Sequence, residues 1–291
     1  MVSAQRLIEY INMDVEAQLL VASNPAHKDW KPKSGQISLK NVSMRYNADL
    51  PLVLKDVDLE IEAGSKVGVV GRTGSGKSSL ILAIFRMVEL ETGSEIQIGG
   101  DNIFEVPVRT MRGALGMIPQ DTFMFSGTLR SNLDVSNEYT DEQLWAALEK
   151  VSLKAPFEEY EDKLEHEVQE KGSNLSAGTV QLVCLARVLL KNPSIIFMDE
   201  ATASVDLATD TLVQDTIRTS FADATIVTIA HRLNTVIDFD KIVVMDAGVV
   251  AEHGSPSELL AKEGGLFSKL VDSTGADSAA ELRSRANAAA K

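Results

Sequence analysis

Cysteine occurs once in the 291 residues, at Cys184, so no internal disulfide can form. This usage suits a reducing compartment. Cys184 lies in the apolar run Leu182 to Ala186, where a small thiol is expected to be buried and inert. Histidine is scarce as well. His27, His166 and His253 stand far apart without metal-ligand spacing, and they read as surface residues. The two tryptophans, Trp30 and Trp145, carry no visible chemistry. No apolar run approaches the ~18–20 residues of a membrane-spanning helix. The first residues, Met1 to Arg6, lack the apolar stretch of a secretory leader. Basic residues are outnumbered, 28 to 42, for a net charge of −14. That balance argues against nucleic acid as a main partner, because binding phosphate backbones needs a basic face. Part of the acidic excess falls in Glu158 to Asp162 and Glu165 to Glu170, and reads as a solvated face.

A hydrophobic content of 44% and a charged content of 24% are those of a globular chain with a sizeable core. Its most informative stretch is Gly71-Arg72-Thr73-Gly74-Ser75-Gly76-Lys77-Ser78, which fits the phosphate-cradling pattern G-x-x-x-x-G-K-[ST]. The flanks fit too. Lys66 to Val70 is an apolar, β-branched run expected to form a buried strand, and Ser79 to Val88 has helical spacing. Glycines let backbone N–H groups close on an anion, and the following helix adds the positive end of its dipole. Lys77 would supply a point charge for the β/γ-phosphates, and Ser78 would ligate Mg²⁺.

Further strands are expected at Gln36 to Tyr46, with one slip in its alternation, at Leu52 to Ile61, Ser194 to Asp199, Ala224 to Ala230 and Lys241 to Met245. In the first of these, Ile37, Leu39, Val42 and Met44 are the candidate inward positions. Thr140 to Leu190 is mainly helical in pattern. Strands alternating with helices predict an α/β fold with a mostly parallel sheet covered on both faces. Residues 3–20 have helical periodicity, with Leu7, Ile8, Ile11, Val15 and Leu19 near one face, and Ala22 to Gly35 reads as a linker. Residues 273–291, rich in Ala and polar groups, read as a frayed helix or a flexible tail. Ile195 to Met198 leads into Asp199, a carboxylate at a strand end that would reach Mg²⁺, and Glu200 follows at a position suited to accept a hydrogen bond from an attacking water.

Other landmarks point to one family. Asn174-Leu175-Ser176-Ala177-Gly178-Thr179 looks like the signature L-S-G-G-Q of ATP-binding cassette transporters. Ile118-Pro119-Gln120-Asp121 resembles their Q-loop, Ala201 to Asp206 their D-loop, and Ile229 to Leu233 their switch-histidine motif. The resemblance covers about residues 36–272. Tyr46 to Leu54, Ile118 to Asp134 and Asn174 to Leu190 look like the second nucleotide-binding domain of C-subfamily, multidrug-resistance-protein-like transporters. The resemblance implies a phosphate-loop NTPase core, an antiparallel β subdomain and an inserted helical subdomain at about 115–190. Residues 1–35 would be a connector helix and linker from a membrane domain, and the chain a C-terminal piece of a larger protein. The implied ligands are ATP and Mg²⁺. Tyr46, Gly71, Thr73, Gly74, Ser75, Gly76, Lys77, Ser78 and Ser79 would bind the nucleotide, with Ser176 and Gly178 acting from the signature. Ser78, Gln120 and Asp199 would hold Mg²⁺, and Glu200, His231, Gln120 and Lys77 would serve hydrolysis.

The signature departs from the family pattern: Ala177 replaces its first Gly and Thr179 its Gln. The signature of one domain completes the site of its partner, so the defect would fall on the partner's nucleotide. The implied partners are a first nucleotide-binding domain in a head-to-tail ATP sandwich and the coupling helices of membrane domains. The isolated chain would be soluble and mostly monomeric, working at the cytoplasmic face of a membrane. The implied function is ATP-driven export of organic anions, conjugates or drugs. The alternative is a regulatory domain of a channel or receptor of the same subfamily. A cassette ATPase of DNA repair would interrupt residues 77–200 with long coiled coil, and a small-molecule kinase would not need Gln120, Ser176 or His231.

Overall fold

The computed structural model describes residues 2–12, 29–199, 207–230 and 232–289. Its strands among them are β1 (Ile37–Met44), β2 (Leu54–Ile61), β3 (Lys66–Gly71), β4 (Glu95–Ile98), β5 (Asp101–Asn102), β6 (Gly116–Ile118), β7 (Gly127–Thr128), β8 (Glu167–Val168), β9 (Ile195–Asp199), β10 (Thr225–Ile229), β11 (Lys241–Asp246) and β12 (Val249–Gly254). Six of them form one sheet in the order β12-β11-β3-β10-β9-β6, parallel throughout except for β12. Four form an antiparallel sheet in the order β2-β1-β4-β5. β7 and β8 make a short ribbon beside the helices Leu129–Leu133, Asp141–Lys150 and Ala177–Lys191. The expected α/β class, with its antiparallel and helical parts, is present.

The near-continuous apolar strands follow from burial on both faces. Successive side chains point to opposite sides of the sheet, and they divide cleanly here. Ile195 and Phe197 of β9, Val227 and Ile229 of β10, and Val243 and Met245 of β11 enter a core shared with the antiparallel sheet and with Leu80, Ile81 and Ile84 of the helix Lys77–Ile84. On the other face, Ile196, Met198 and Ile226 pack with Leu144, Leu148, Val183 and Leu185 of the helical part. Towards the β11 end, Val70, Ile242 and Val244 pack instead with Phe267, Val271 and Leu282 of the C-terminal helices.

Ile37, Leu39, Val42 and Met44 are all buried, as their spacing predicts. The slip in that alternation is a register shift between Leu39 and Val42, with Asn41 at φ +51° absorbing the extra residue. The helix after the phosphate-type loop stops at Ile84 rather than Val88. Arg86 there takes φ +52°, and its guanidinium donates to the Ile103 and Val106 carbonyls at 2.6 and 2.8 Å. Those buried bonds outweigh the helical spacing.

Three more expectations meet the structure. The helix Val2–Ile11 forms, with Leu7, Ile8 and Ile11 exposed, while Val15 and Leu19 lie outside the described residues. In the stretch read as a linker, Trp30 is buried, its indole Nε1 donating to Asp101 Oδ2 at 2.9 Å. The flexible-tail reading of 273–291 is corrected: Ala276–Ala289 is a helix whose Ala279, Leu282 and Ala286 are buried in the C-terminal core. Small alanines hide this packing from a hydropathy reading, because they let the helix lie close while adding little apolar weight. Cys184 is buried as expected, and burial raises its thiol pKa further from reactivity. His166 is not a plain surface residue. It stacks on Tyr160 at 3.9 Å between ring centroids.

Truncating Leu282 tests the docked tail. Leu282→Ala is expected to cost about 2–5 kcal/mol in urea unfolding, as for other buried leucines. A loss below about 0.5 kcal/mol would mean that the helix contributes no packing.

Candidate nucleotide-binding site

Four parallel strands deliver their C-terminal ends to one edge of the sheet. Ile229 of β10 is paired with Val69 of β3 on one side and with Asp199 of β9 on the other. Ile118 of β6 is paired with Met198. Gly71, Asp199, Ala230 and Gln120 are therefore neighbours in space despite sequence separations of up to 159 residues (230 − 71). The crevice beyond such strand ends is where open α/β sheets bind ligands.

The loop leaving β3 needs glycine for steric reasons. Gly71, Gly74 and Gly76 take φ +152°, +78° and +105°. A Cβ on Gly71 would lie 2.3 Å from the Met245 carbonyl oxygen and 2.6 Å from Ser75 Oγ. The loop is braced from below, since Gly248 N donates to the Ser75 carbonyl at 3.0 Å and Lys55 N donates to the Gly248 carbonyl at 2.9 Å. Gly248 belongs to the two-residue turn between β11 and β12, with Ala247 at φ +48° and Gly248 at φ +90°. The sequence reading missed this brace. Its signal is an Ala-Gly pair between two strand-like runs.

Lys77 is buried at the start of the helix Lys77–Ile84, and its Nζ donates to the carbonyls of Gly71 and Arg72 at 2.9 and 3.1 Å. The ammonium thus sits inside the turn of its own loop. Thr73, Gly74 and Ser78 are exposed on the rim, and Ser75 is buried. Tyr46, half exposed just past β1, shares a 2.9 Å hydrogen bond between its hydroxyl and Ser79 Oγ. That contact ties the aromatic ring to the first turn of the loop's helix. Asp199 closes β9, and Gln120 is exposed two residues beyond β6. Glu200, the segment 201–206 and His231 lie outside the described residues.

Ser176 and Gly178 come from another layer. Ser176 caps the helix Ala177–Lys191, its Oγ accepting from Thr179 N at 3.1 Å and sharing a 2.8 Å hydrogen bond with Thr179 Oγ1. Thr179, one of the two residues that depart from the signature pattern, therefore engages the signature serine. A Cβ on Gly178 would lie 3.0 Å from Thr209 Oγ1, so this glycine lets two helices approach, whatever else it does.

The family model for ABC transporters matches residues 54–203. The chain belongs to the ABC transporter family. It is an ATP-binding, ATPase-type domain of the kind found in C-subfamily members. It is 47% identical over 271 residues to ABC transporter C family member 6 of Arabidopsis thaliana, covering 93% of this chain and 18% of that protein. It is 47% identical over 286 residues to ABC transporter C family member 3 of Dictyostelium discoideum, covering 98% and 20%. With ATP-binding cassette sub-family C member 2 of Mus musculus, identity is 48% over 266 residues, covering 91% and 17%. The chain thus spans about a fifth of the length of these relatives. A solved bacterial Atm1-family ABC exporter with ATP bound superimposes with a TM-score of 0.83 at 31% identity, covering 94% of this chain and 47% of that one. The matched span 54–203 holds the loop, Gln120, the signature and Asp199; Tyr46 and His231 lie outside it.

Substitutions at two glycines separate steric from conformational demands on the loop. Gly74 has open space around a would-be Cβ, so Gly74→Ala should cost only left-handed strain, about 1–2 kcal/mol. Gly71→Ala adds the clash with Met245 and should cost clearly more in chemical denaturation. Equal costs would show that the loop relaxes freely against β11.

Proposed function

We propose that residues 36–272 are the ATP-hydrolysing engine of a C-subfamily export transporter, with residues 1–35 leading in from a membrane domain. The observation that carries the reading is the glycine-rich loop from β3 to the helix Lys77–Ile84, standing at the same sheet edge as Asp199. In this reading Gly71, Thr73, Gly74, Ser75 and Gly76 bring their backbone around the phosphates of ATP. Lys77 exchanges its carbonyl partners for the β/γ-phosphate oxygens, a stronger charge-assisted pairing. Ser78 and Ser79 lie at the helix N-terminus, whose dipole favours the anion. The ring of Tyr46 offers a stacking face for adenine, worth ~1–3 kcal/mol by analogy with base stacking.

The oxygen donors suit Mg²⁺: a hydroxyl on the loop rim (Ser78), a strand-end carboxylate (Asp199) and an exposed amide (Gln120) are the hard ligands this ion takes. Held by these residues, the ion would supply positive charge against the negative charge that develops on the phosphates. Glu200 takes or orients the proton of the attacking water, and His231 holds the γ-phosphate. Both follow strand ends, Glu200 after Asp199 and His231 after Ala230.

These groups surround the γ-phosphate on one side only. The other side is proposed to come from the signature of a first nucleotide-binding domain in a head-to-tail sandwich, while Ser176 and Gly178 act on the partner's nucleotide. The assembly would work at the cytoplasmic face of a membrane, coupled to membrane-domain helices and exporting organic anions, conjugates or drugs. Among the described residues, no helix is long and apolar enough to cross a membrane.

Three measurements test this. Lys77→Ala should abolish most binding of a fluorescent ATP analogue, and unchanged affinity would remove the assignment. Glu200→Gln should leave binding intact while turnover falls by the ~10²–10⁴-fold typical of a positioned base. Phosphate release within about twofold of the parent would place that role elsewhere. In a mixture with a first cassette bearing an intact signature, Lys77→Ala should remove most ATPase activity and Ser176→Ala little. Equal losses would mean two equivalent sites.

A further inference from the structure

The C-terminal helix Ala276–Ala289 stands against the segment that follows β10. That segment begins at Ala230, passes through a single turn of 3₁₀ helix at Leu233–Thr235, and ends at Asp238. Its two ends are packed: Ala230, Val236 and Ile237 are buried in the same core as Leu282 and Ala286. Its middle is held differently. A cavity of about 500 Å³, bounded by Gly71, Ala230, Arg232, Glu281, Leu282 and Arg285, lies beneath it. Leu233 packs against the same core, and across the cavity polar ties add to that hold. Arg285 makes them. One guanidinium nitrogen, Nη2, donates to the Asn234 carbonyl at 3.0 Å and to Asp238 Oδ2 at 2.6 Å. Asp238 also stands 4.0 Å from Arg218, in the last turn of the helix Leu207–Ser220. The Arg285–Asp238 pair is short and partly shielded on both sides, whereas the Arg218 contact is long and mostly solvated on the arginine side.

We propose that Arg285 is a positioning residue for the nucleotide site: it clamps the turn 232–238, which follows His231 directly in the chain. The catalytic consequence rests on the reading of His231 as the γ-phosphate contact; the clamp itself does not. A side chain that must meet a transferring phosphoryl group gains from a fixed backbone, because small misplacements are costly in rate. The cavity gives the turn room to move when the tie is cut.

The test uses the full chain and two readouts. Hydrogen–deuterium exchange without nucleotide should show faster exchange in Arg285→Ala at the amides of Thr235, Val236 and Phe239, which are hydrogen-bonded within the turn, and unchanged exchange in β9. Turnover at saturating Mg-ATP should fall about fivefold or more while nucleotide affinity stays within about twofold, and Arg285→Lys, which keeps one tie to Asp238, should recover much of the loss. A helix that only added stability would lower the melting temperature and leave turnover per folded molecule unchanged, which overturns the proposal. Unchanged exchange at the turn overturns it as well. A parent chain that binds no ATP would instead overturn the reading of the nucleotide site, and the exchange data would still decide the clamp.

Discussion

The parallel register of β3, β10, β9 and β6 is the constraint on which the site depends. Parallel strands all point their carboxyl ends the same way, so residues that end different strands are brought to one edge without any contact between their own side chains. Asp199 reaches the edge beside the glycine-rich loop because β10 pairs Ile229 with both Val69 and Asp199. A slip of one residue in β9 would turn Phe197 out of one core and Met198 out of the other. Two separate cores on the two faces of the sheet thus hold that register, and a surface feature inherits the rigidity of the interior.

The loop itself is a balance of opposing demands. It must bury a lysine, which is costly unless its donors are met. It meets them with its own carbonyls at Gly71 and Arg72, groups that the sharp left-handed turns aim inward. An arriving phosphate would replace those partners with stronger ones and leave the turn in place. The turn is supported by Gly248 on the neighbouring hairpin, whose own conformation is packed against Val53. Support therefore comes from a segment more than 170 residues away in sequence (248 − 77).

The altered signature has a local cause and a local consequence. Ser176 caps the helix Ala177–Lys191 by accepting from Thr179 N, and the Thr179 hydroxyl adds a second hydrogen bond, so the serine oxygen is already engaged. A serine proposed to reach a partner's nucleotide would first have to release that bond. Gly178 is kept for a reason independent of any ligand, the close approach of Thr209.

The residue pattern alone specifies the α/β class, the buried strands, the inward positions of β1 and the loop with its lysine. These are local: a glycine spacing, an apolar run and a period of two are fixed by backbone sterics and by which face is wet. It also singled out Asp199, because a carboxylate ending a buried strand is unusual in itself. Long-range packing decided that the helix after the loop ends at Ile84, that Trp30 anchors a stretch reading as a linker, that Gly248 braces the loop and that the tail docks through Ala279, Leu282 and Ala286. Each of these rests on a partner distant in the chain: the Ile103 carbonyl, Asp101, Ser75, and the cluster around Phe267. Such pairings leave no periodicity in the sequence, since the energy that selects them arises only when the sheet has already brought the two segments together.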